Sequence, residues 1–310
     1  MDQADLLALC RFRGVSWHFI AREAQRQPLV DVQRLMTGHA TEESRPARDT
    51  LEVLGASRAD LPTHRREVEE LIASTADEGI RLTTVLDDDY PVNLRVIDNL
   101  PPFLFYRGEF QPGDAYSVAV VGTRVPSPEG LARARKIAGH LAEHGVTVLS
   151  GLARGIDTAS HDATLKAGGR TIAVLGSGIR RVYPRENAGL AERIAATGAV
   201  VSQFWPDTAP TSYTFPRRNV VTSGMGQGTV VVEASATSGA KMQARLAIEH
   251  GKQVFLLASL VTTRDWARSY LKRPRVHEVA DVDDVIRVLR SPDEMHSRAA
   301  QRVQLALTLA

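Results

Sequence analysis

The hydrophobic pattern in the middle of the chain predicts strands that alternate with helices. Short apolar runs recur through residues 114–260, and most are followed by a stretch with helical periodicity. The predicted strands are 118–121, 147–149, 171–175, 200–202, 230–232 and 254–257, and the predicted helices are 129–143, 156–166, 187–196 and 241–250. Because strands buried on both faces and joined by helices form doubly wound sheets, this part predicts an α/β fold with a mostly parallel sheet.

The first 80 residues carry the pattern of a small helical domain. Amphipathic segments are predicted at 4–12, 16–25, 29–36 and 65–73, with breaks at Gly14, Pro28 and Gly38, and residues 41–62 are predicted to form a looser connection. A bundle of this kind could contact a DNA backbone. We favour the other interpretation, which is a docking or interaction module.

Residues 81–113 predict a structured connector that packs on the next domain. A strand at 82–86 is followed by a turn, in which Pro91 keeps Tyr90 out of a helix, and by a second strand at 103–108. The central domain is predicted to span residues 114–290 and to close with a helix at 280–289. Residues 291–310 are predicted to form a final helix or a tail.

Composition narrows the class of protein. A hydrophobic content of 43% supplies a core, which excludes wholesale disorder. Cys10 is the single cysteine, so an internal disulfide is excluded and we expect a buried apolar side chain there. Cys and His show no metal-ligand spacing, so neither a metal nor a cofactor is predicted. Because no basic leader or membrane-spanning apolar run is visible, we expect a cytoplasmic protein without a membrane partner.

The basic residues are concentrated in the glycine-rich middle. Residues 114–260 hold 16 Lys and Arg against 10 Asp and Glu, whereas the remainder holds 22 against 26. The net charge is therefore +6 in one part and −4 in the other. This asymmetry suits a polyanionic ligand of the central domain.

Candidate ligand-binding residues gather where the predicted strands end. Since the carboxyl ends of parallel strands lie at one edge of a sheet, the loops that follow different strands meet there, and ligands bind at that edge. Four such loops carry glycines, hydroxyls or charged side chains: Gly122, Thr123 and Arg124; Ser150 and Gly151; Gly176 and Gly178; and Glu233 with Ser238, Gly239 and Lys241. We predict a ligand site along this edge.

The second of these loops is a candidate anion site. The strand is predicted to end at Ser150 and Gly151, and a helix with Asp157 in its first turn follows Gly155. Backbone N–H groups and the positive end of the helix dipole would then point to one place, which suits a phosphate. Arg154 can fork onto the same anion. Taken alone, the glycines can equally be simple turn residues.

No cofactor motif and no catalytic set can be assigned. Residues 122–127 lack both the G-x-G-x-x-G spacing of a dinucleotide site and the G-K-[ST] ending of a P-loop, which leaves a short phosphate-binding turn with Arg124 facing outward. Asp157 and His161 are four residues apart and share a helix face. They could act in hydrolysis or bind a metal, although we favour a structural hydrogen bond.

The segment that runs from Phe215 through Arg217 and Arg218 to Asn219 suits a nucleic-acid strand. We predict it in a loop rich in Thr and Ser. A base can stack on Phe215 while the two arginines meet phosphates, and such stacking contributes about 1–3 kcal/mol per base. The alternative makes Phe215 a core side chain and leaves the arginines solvated.

These motifs, in this order, resemble those of the DNA-processing protein A (DprA/Smf) family. The most recognisable segment is 150–157, followed by His161. The other similar segments are 121–124, 183–184, 186–187, 215–219, 232–234 and 238–239, together with the connector at 90–95 and 101–108. The similarity covers about residues 87–258. The N-terminal helices resemble, more loosely, the small helical domain, of the SAM or helix-hairpin-helix kind, that many members carry.

The resemblance implies an extended Rossmann-like domain that binds single-stranded DNA, forms a homodimer and helps to load a RecA-type recombinase during natural transformation. It also implies which residues line the basic pocket: Arg124, Arg154, Arg217, Arg218 and Lys241, with backbone contacts from Ser150, Gly151 and Gly239. The family is not known as an enzyme.

Several positions depart from the family pattern. Val220 stands where an arginine is usual, Ala240 replaces a serine, Ala258 and Ser259 replace a Pro-Gly pair, and the Asn-x-Leu-Ile segment is not recognisable in 264–272. No C-terminal winged helix is visible. The differences lie on the ligand edge and predict an altered or weaker DNA pocket. A specialised role in mobile-element or phage-defence biology is one form that this divergence could take.

Two other functions stay open. The lysine-decarboxylase-like nucleotide phosphoribohydrolases have a glycine-rich loop with a glutamate, which Gly226, Gly228, Thr229 and Glu233 resemble, although this glutamate is one residue too far from the threonine. The third possibility is a non-enzymatic sensor of a small nucleotide or a protein-interaction scaffold.

Overall fold

The computed structural model describes residues 1–26, 32–291 and 294, and its centre is a nine-stranded sheet. The strands are β1 Arg81–Thr84, β2 Phe103–Gly108, β3 Ser117–Val121, β4 Thr147–Ser150, β5 Thr171–Val174, β6 Ala199–Ser202, β7 Gly228–Val231, β8 Gln253–Leu257 and β9 Val276–Val279. Their order is β1-β2-β6-β5-β4-β3-β7-β8-β9. From β6 to the β9 edge all strands are parallel, whereas β2 is antiparallel to both neighbours. The predicted α/β fold with a mostly parallel sheet is confirmed.

The described part of the chain forms thirteen α-helices. They are α1 Gln3–Leu9, α2 Trp17–Arg26, α3 Val32–Met36, α4 Arg45–Ala56, α5 Leu61–Asp77, α6 Pro128–Glu143, α7 Ile156–Lys166, α8 Ala188–Thr197, α9 Thr214–Met225, α10 Gly239–Glu249, α11 Ala258–Thr263, α12 Asp265–Tyr270 and α13 Val282–Ile286. The helix α7 packs between α6 and α8, and α9 packs on α10. Among the described helices, none combines the length and the apolar character needed to cross a bilayer.

The chain changes direction across the sheet between β3 and β7. From β3 it proceeds through β4 and β5 to β6, and then crosses back to β7 on the other side of β3, where Val120 pairs with Val230. Because connections between parallel strands are right-handed, this reversal places the α6–α8 layer and the α9–α10 layer on opposite faces. A crevice therefore opens beyond the carboxyl ends of β3 and β7.

Local sequence signals explain the ends of the elements that bound this crevice. Helix α6 begins after Ser127, whose hydroxyl accepts the Gly130 N–H at 2.9 Å. It ends in a Schellman motif, in which Gly145 adopts φ 69° and the Val146 N–H donates to the Leu141 carbonyl at 2.9 Å. The chain thus turns directly into β4, as the glycine at 145 allows.

The structure corrects the predicted elements in three places. Residues 41–62, predicted as a loose connection, contain α4. The segment 215–219, predicted in a loop, lies inside α9. Residues 258–279, for which no element was predicted, form α11, α12 and β9. The first part of the helix predicted at 29–36 and most of the tail predicted at 291–310 lie outside the described residues.

The N-terminal helices pack on the sheet through an aromatic cluster. The Trp17 ring lies 5.1 Å from the ring of Phe103 in β2 and 5.8 Å from that of Trp205. The Arg11 guanidinium lies 4.5 Å from the Trp205 ring. Strands β1 and β2, which form the predicted connector, extend the sheet beside β6. Cys10 is buried close by, and burial raises the pKa of its thiol.

Candidate functional site

A cavity of about 300 Å³ opens at the reversal of strand order, beyond the carboxyl ends of β3 and β4 and beside the start of α10. It is the place where this fold predicts a ligand. The cavity is lined in part by Gly122, Thr123, Arg124, Gly151, Phe215, Arg218, Asn219, Ser238 and Gly239. Predicted site residues from four separate segments therefore share one cavity.

The loop after β3 is shaped by its close approach to α7. A Cβ on Gly122 would overlap the side chain of Ile156, so a glycine is needed for the two to pass. Gly155, at φ 78°, lies in turn against the Thr123 carbonyl. The Thr123 N–H donates to the carbonyl of Glu233 at 2.8 Å and ties this loop to the one after β7. Glycine at positions 122 and 155 therefore lets the loop after β3 pack against the start of α7 at the rim of the cavity. Gly155 itself does not line the cavity.

The turn after β4 is closed by a carboxylate of the protein itself. The N–H groups of Gly151 and Ala153 donate to Oδ2 of Asp157, at 3.1 and 3.4 Å. Burial raises the pKa of Asp157, and the nearby guanidinium of Arg218 opposes that shift. The arrangement differs from the predicted anion site, since these N–H groups already have a partner. An anion that enters the cavity would meet the arginines instead.

Arg218 is the most deeply buried arginine of the cavity lining. It is 7% exposed, and its Nη1 and Nε donate to the Val174 carbonyl and to Oδ1 of Asn219, each at 3.0 Å. A Cβ on Gly151 would overlap its guanidinium, so glycine at this position leaves the space that Arg218 fills. Burial lowers the pKa of Arg218, and the carboxylate of Asp157 opposes the shift. A guanidinium held in this way is oriented in advance for an anion.

Phe215 lies at the mouth of the cavity among other flat groups. Its ring packs on the backbone of Gly176, where a Cβ would lie 2.5 Å from Cδ1. The guanidinium of Arg124 lies 5.2 Å from the ring centroid, and the ring of Tyr183 lies 5.8 Å away. Tyr183 is 45% exposed. Flat aromatic and guanidinium groups of this kind suit the stacking of a base.

Arg217 and Lys241 lie outside the lining of the cavity. The Arg217 guanidinium lies 5.3 Å from the ring of Tyr213 and 5.5 Å from that of Trp17, in the N-terminal helices. The Lys241 ammonium lies 5.9 Å from the ring of Trp266 in α12. Neighbours in a helix point in different directions because each residue turns by more than a quarter of a circle. The spacing of a motif therefore does not reveal which of two adjacent cations faces the ligand.

Arg154 lies on the rim and is already paired. Its Nε and Nη2 donate to the two carboxylate oxygens of Glu186, the second at 3.0 Å. It lines a small cavity of about 30 Å³ together with Arg124 and Arg218, and also a wider groove of about 650 Å³.

Ser150 has a structural role, since its hydroxyl donates to a backbone carbonyl of β3 at 2.7 Å.

Asp157 and His161 have separate partners. The Nδ1 of His161 lies 2.7 Å from the hydroxyl of Thr171, which donates to the Val148 carbonyl, so Nδ1 carries the proton. Burial lowers the pKa of His161 to about 3, with a smaller contribution from Arg218. Both side chains therefore have structural partners, but the hydrogen bond between Asp157 and His161 that the favoured interpretation expected is not formed. Within the described part of the chain, no group of three or more His, Cys, Asp and Glu could hold a metal ion.

Glu233, the glutamate of the loop that resembles the phosphoribohydrolases, is engaged at the start of α6. Its Oε2 accepts the Ser127 hydroxyl at 2.9 Å and the Ser127 N–H at 3.2 Å. A Cβ on Gly130 would overlap this carboxylate. Thr229 lies inside β7 and is fully buried. The carboxylate therefore joins the β7 loop to the start of α6.

Two residues of the rim were not predicted as site residues. Tyr183 forms a cis peptide bond with Pro184, and Glu186 lies in the short 3₁₀ turn Arg185–Asn187 that follows. Both belong to a segment whose family resemblance was recognised. That resemblance was the signal that could have identified them, because no spacing rule connects these residues to the loops that follow β3 and β4.

A doubly wound sheet with arginines and an aromatic ring at the reversal of strand order defines the class: a Rossmann-like protein with a cationic ligand crevice. The particular family follows from comparison with known proteins. The model of the DNA recombination-mediator protein A family matches residues 81–289. The chain belongs to this family.

Curated relatives agree with this assignment. Protein Smf of Escherichia coli K12 is 40% identical over 194 residues, which cover 62% of this chain and 52% of Smf. DNA processing protein DprA of Streptococcus pneumoniae R6 is 39% identical over 174 residues, 56% of this chain and 61% of DprA. The chain thus spans about half the length of the curated relatives it matches.

Two solved structures share the fold. That of Streptococcus pneumoniae DprA superposes with a TM-score of 0.74 at 27% identity, over 94% of this chain and 99% of that chain. The second structure is that of DNA processing protein A of Helicobacter pylori, reported for its mode of single-stranded DNA binding. It superposes with a TM-score of 0.59 at 24% identity, over 67% of this chain and 94% of that chain. The second comparison supports the fold alone.

Proposed function

We propose that this chain binds single-stranded DNA in the cavity at the β3–β7 reversal and acts as a recombination mediator. The observation that carries the proposal is the convergence of Arg124, Arg218 and Phe215 on one cavity of a chain that belongs to the recombination-mediator family. The arginines would neutralise phosphates, and a base would stack beside Phe215. The structure of the DNA processing protein of Streptococcus pneumoniae, which superposes on most of this chain, supports the same proposal.

The finer parts of the function follow from the family. We include protection of the bound strand, loading of a RecA-type recombinase and a homodimeric state in the proposal. The helical residues 1–80, the connector 81–113, the Rossmann-like domain 114–290 and the end segment 291–310 are its proposed units. We propose binding without catalysis, because the carboxylate of Glu233 and the ring of His161 both have structural partners.

Fluorescence anisotropy with a labelled oligothymidylate tests the proposal. Wild type should bind at low salt with weak dependence on sequence, and log K should fall linearly with log salt. Replacing Arg124 with alanine removes one phosphate contact and should reduce the steepness of that line by about 0.7. Phe215→Ala should cost about 1–3 kcal/mol of binding with little change in the salt dependence.

A matched control separates a local contact from net charge. Arg133 is exposed on α6 and lies outside the cavity lining, so Arg133→Ala should leave binding close to wild type. Absence of binding by wild type at low salt would overturn the proposed function. Release of free base from nucleoside monophosphates by the purified chain would instead establish the hydrolase alternative.

A further inference from the structure

The pair formed by Arg154 and Glu186 lies where three open spaces meet. Arg154 lines the small cavity beside Arg218, the groove of about 650 Å³ and a second groove of about 710 Å³. Glu186 lines both grooves but neither of the two cavities that contain Arg218. The carboxylate therefore holds the arginine from the groove side, at the edge of the site.

The geometry of the pair is bidentate, and the backbone holds the carboxylate in place. The two nitrogens of Arg154 meet the two oxygens of Glu186, which is the way a guanidinium also meets a phosphate. The next residue, Asn187, is buried and donates from Nδ2 to the Leu152 carbonyl at 2.8 Å and to the Thr158 hydroxyl at 2.9 Å. These bonds fasten the turn that carries Glu186 to the start of α7.

The pair does little to support the fold. Its side chains are 62% and 53% exposed, and exposed ion pairs contribute little to stability. A phosphate of a bound strand can make the same two hydrogen bonds to Arg154, but only after the carboxylate has left. The two anions therefore compete for one guanidinium.

We propose that Glu186 is an intramolecular competitor that sets the affinity of the site, by occupying Arg154 until a phosphate of single-stranded DNA replaces it. This inference rests on the proposed function. Part of the free energy of DNA binding is used to break the exposed pair. Without the carboxylate this cost is absent, so the strand binds more tightly. Glu186→Gln keeps the size and the polar character of the side chain while it removes the charge.

Anisotropy with a labelled oligothymidylate of about 16 nucleotides, within the range of known single-strand sites, provides the test. Glu186→Gln should bind about two- to fivefold more tightly than wild type at low salt. The salt dependence should steepen by about 0.7, because Arg154 then arrives at the strand without a partner. The gain should disappear at high salt, where exposed charges are screened.

Two further variants make the result specific. Glu249→Gln breaks a comparable exposed pair, with Arg245 on α10, and should leave the affinity within the error of wild type. In an Arg154→Ala background, Glu186→Gln should bring no gain. A gain that persists without Arg154, or one that Glu249→Gln reproduces, would show a general field effect and overturn the inference. Binding by wild type with no gain in Glu186→Gln would also overturn it, while the proposed function would stand.

Discussion

Adjacent residues on α9 have different tasks. Arg218 is buried in the cavity wall, whereas Arg217 lies among the rings of Tyr213 and Trp17 on the side of the N-terminal helices. The backbone carbonyl of Arg217 also accepts the side-chain amide of Gln203 at 2.6 Å. The two arginines therefore connect the same turn of helix to the cavity on one side and to the helical segment on the other.

The position of Arg217 yields a prediction about salt dependence. Arg217→Ala should lower the free energy of unfolding by about 1 kcal/mol, since it removes partly exposed cation–π contacts. It should leave the slope of log K against log salt unchanged, because no phosphate contact is lost. Arg217→Lys should restore most of the stability. A slope reduced by about 0.7, as expected for Arg124→Ala, would show instead that Arg217 contacts the strand.

The buried His161 makes stability depend on pH. Its pKa is lowered to about 3 in the folded state by burial, whereas an unfolded histidine titrates near pH 6.5. The unfolded state therefore binds the proton first as pH falls, and stability is lost from about pH 6.5 downwards. Between pH 7.5 and pH 5, the titration of His161 should lower the free energy of unfolding by about 2 kcal/mol.

Urea unfolding at the two pH values, with wild type and His161→Gln, measures this contribution. His250, whose pKa burial lowers to about 4, acts in the same direction and is present in both proteins. The difference between them therefore isolates His161. Equal losses in wild type and variant would mean that His161 titrates as it does in the unfolded chain.

At the scale of elements, the central strands and helices could be predicted because their signals are local. The predicted helix at 156–166 matches α7 to the residue, and β3 is buried along its whole length, as its continuous apolar run requires. The predicted parallel arrangement of the strands was sufficient to predict that the loops after β3 and β7 lie at the same edge of the sheet. What a sequence cannot supply is the direction of each side chain at that edge.

Physical features of α9 and β9 explain why these elements were not predicted. Helix α9 contains Pro216 in its first turn, where proline is tolerated but resembles a loop signal. Strand β9 is an edge strand whose inner residues, His277 and Glu278, are polar, so the apolar run that marks the other strands is missing. Helix α4 did have a readable start, since Ser44 caps it and Pro46 occupies its first turn.

The join between β7 and α6 gives a prediction at this scale. Glu233→Ala should destabilise the fold by about 1–3 kcal/mol, because the N–H and hydroxyl of Ser127 lose an ionised acceptor at the helix start. Glu233→Gln should lower the stability less, since its amide oxygen can still accept a hydrogen bond from Ser127. Chemical denaturation measures both changes. A variant with wild-type stability and altered turnover of a nucleotide would contradict the structural role and favour catalysis.

At the scale of the whole molecule, the N-terminal helices and the sheet share a packed boundary. Trp17, Trp205 and Phe103 meet there, the Arg22 guanidinium donates to the Asp98 carbonyl at 2.5 Å, and Arg180 pairs with Glu78 at 2.6 Å. Rings at such distances and orientations add to the stability that their burial provides. The helical segment therefore rests on β2 and on the turn of α9 that also carries Arg218 of the candidate site.

This boundary predicts one cooperative unfolding transition for both parts. Two of the three tryptophans, Trp17 and Trp205, report on the boundary by fluorescence, and far-ultraviolet circular dichroism reports on all helices. In a Trp266→Phe background, which leaves only the boundary tryptophans, the two urea midpoints should coincide. Trp205→Ala should shift the circular dichroism midpoint to lower urea, because a large ring leaves a packed cluster. A fluorescence midpoint well below that of circular dichroism would show that the helical segment detaches first. In that case α9 would have to hold Phe215 and Arg218 in place without support from Trp17.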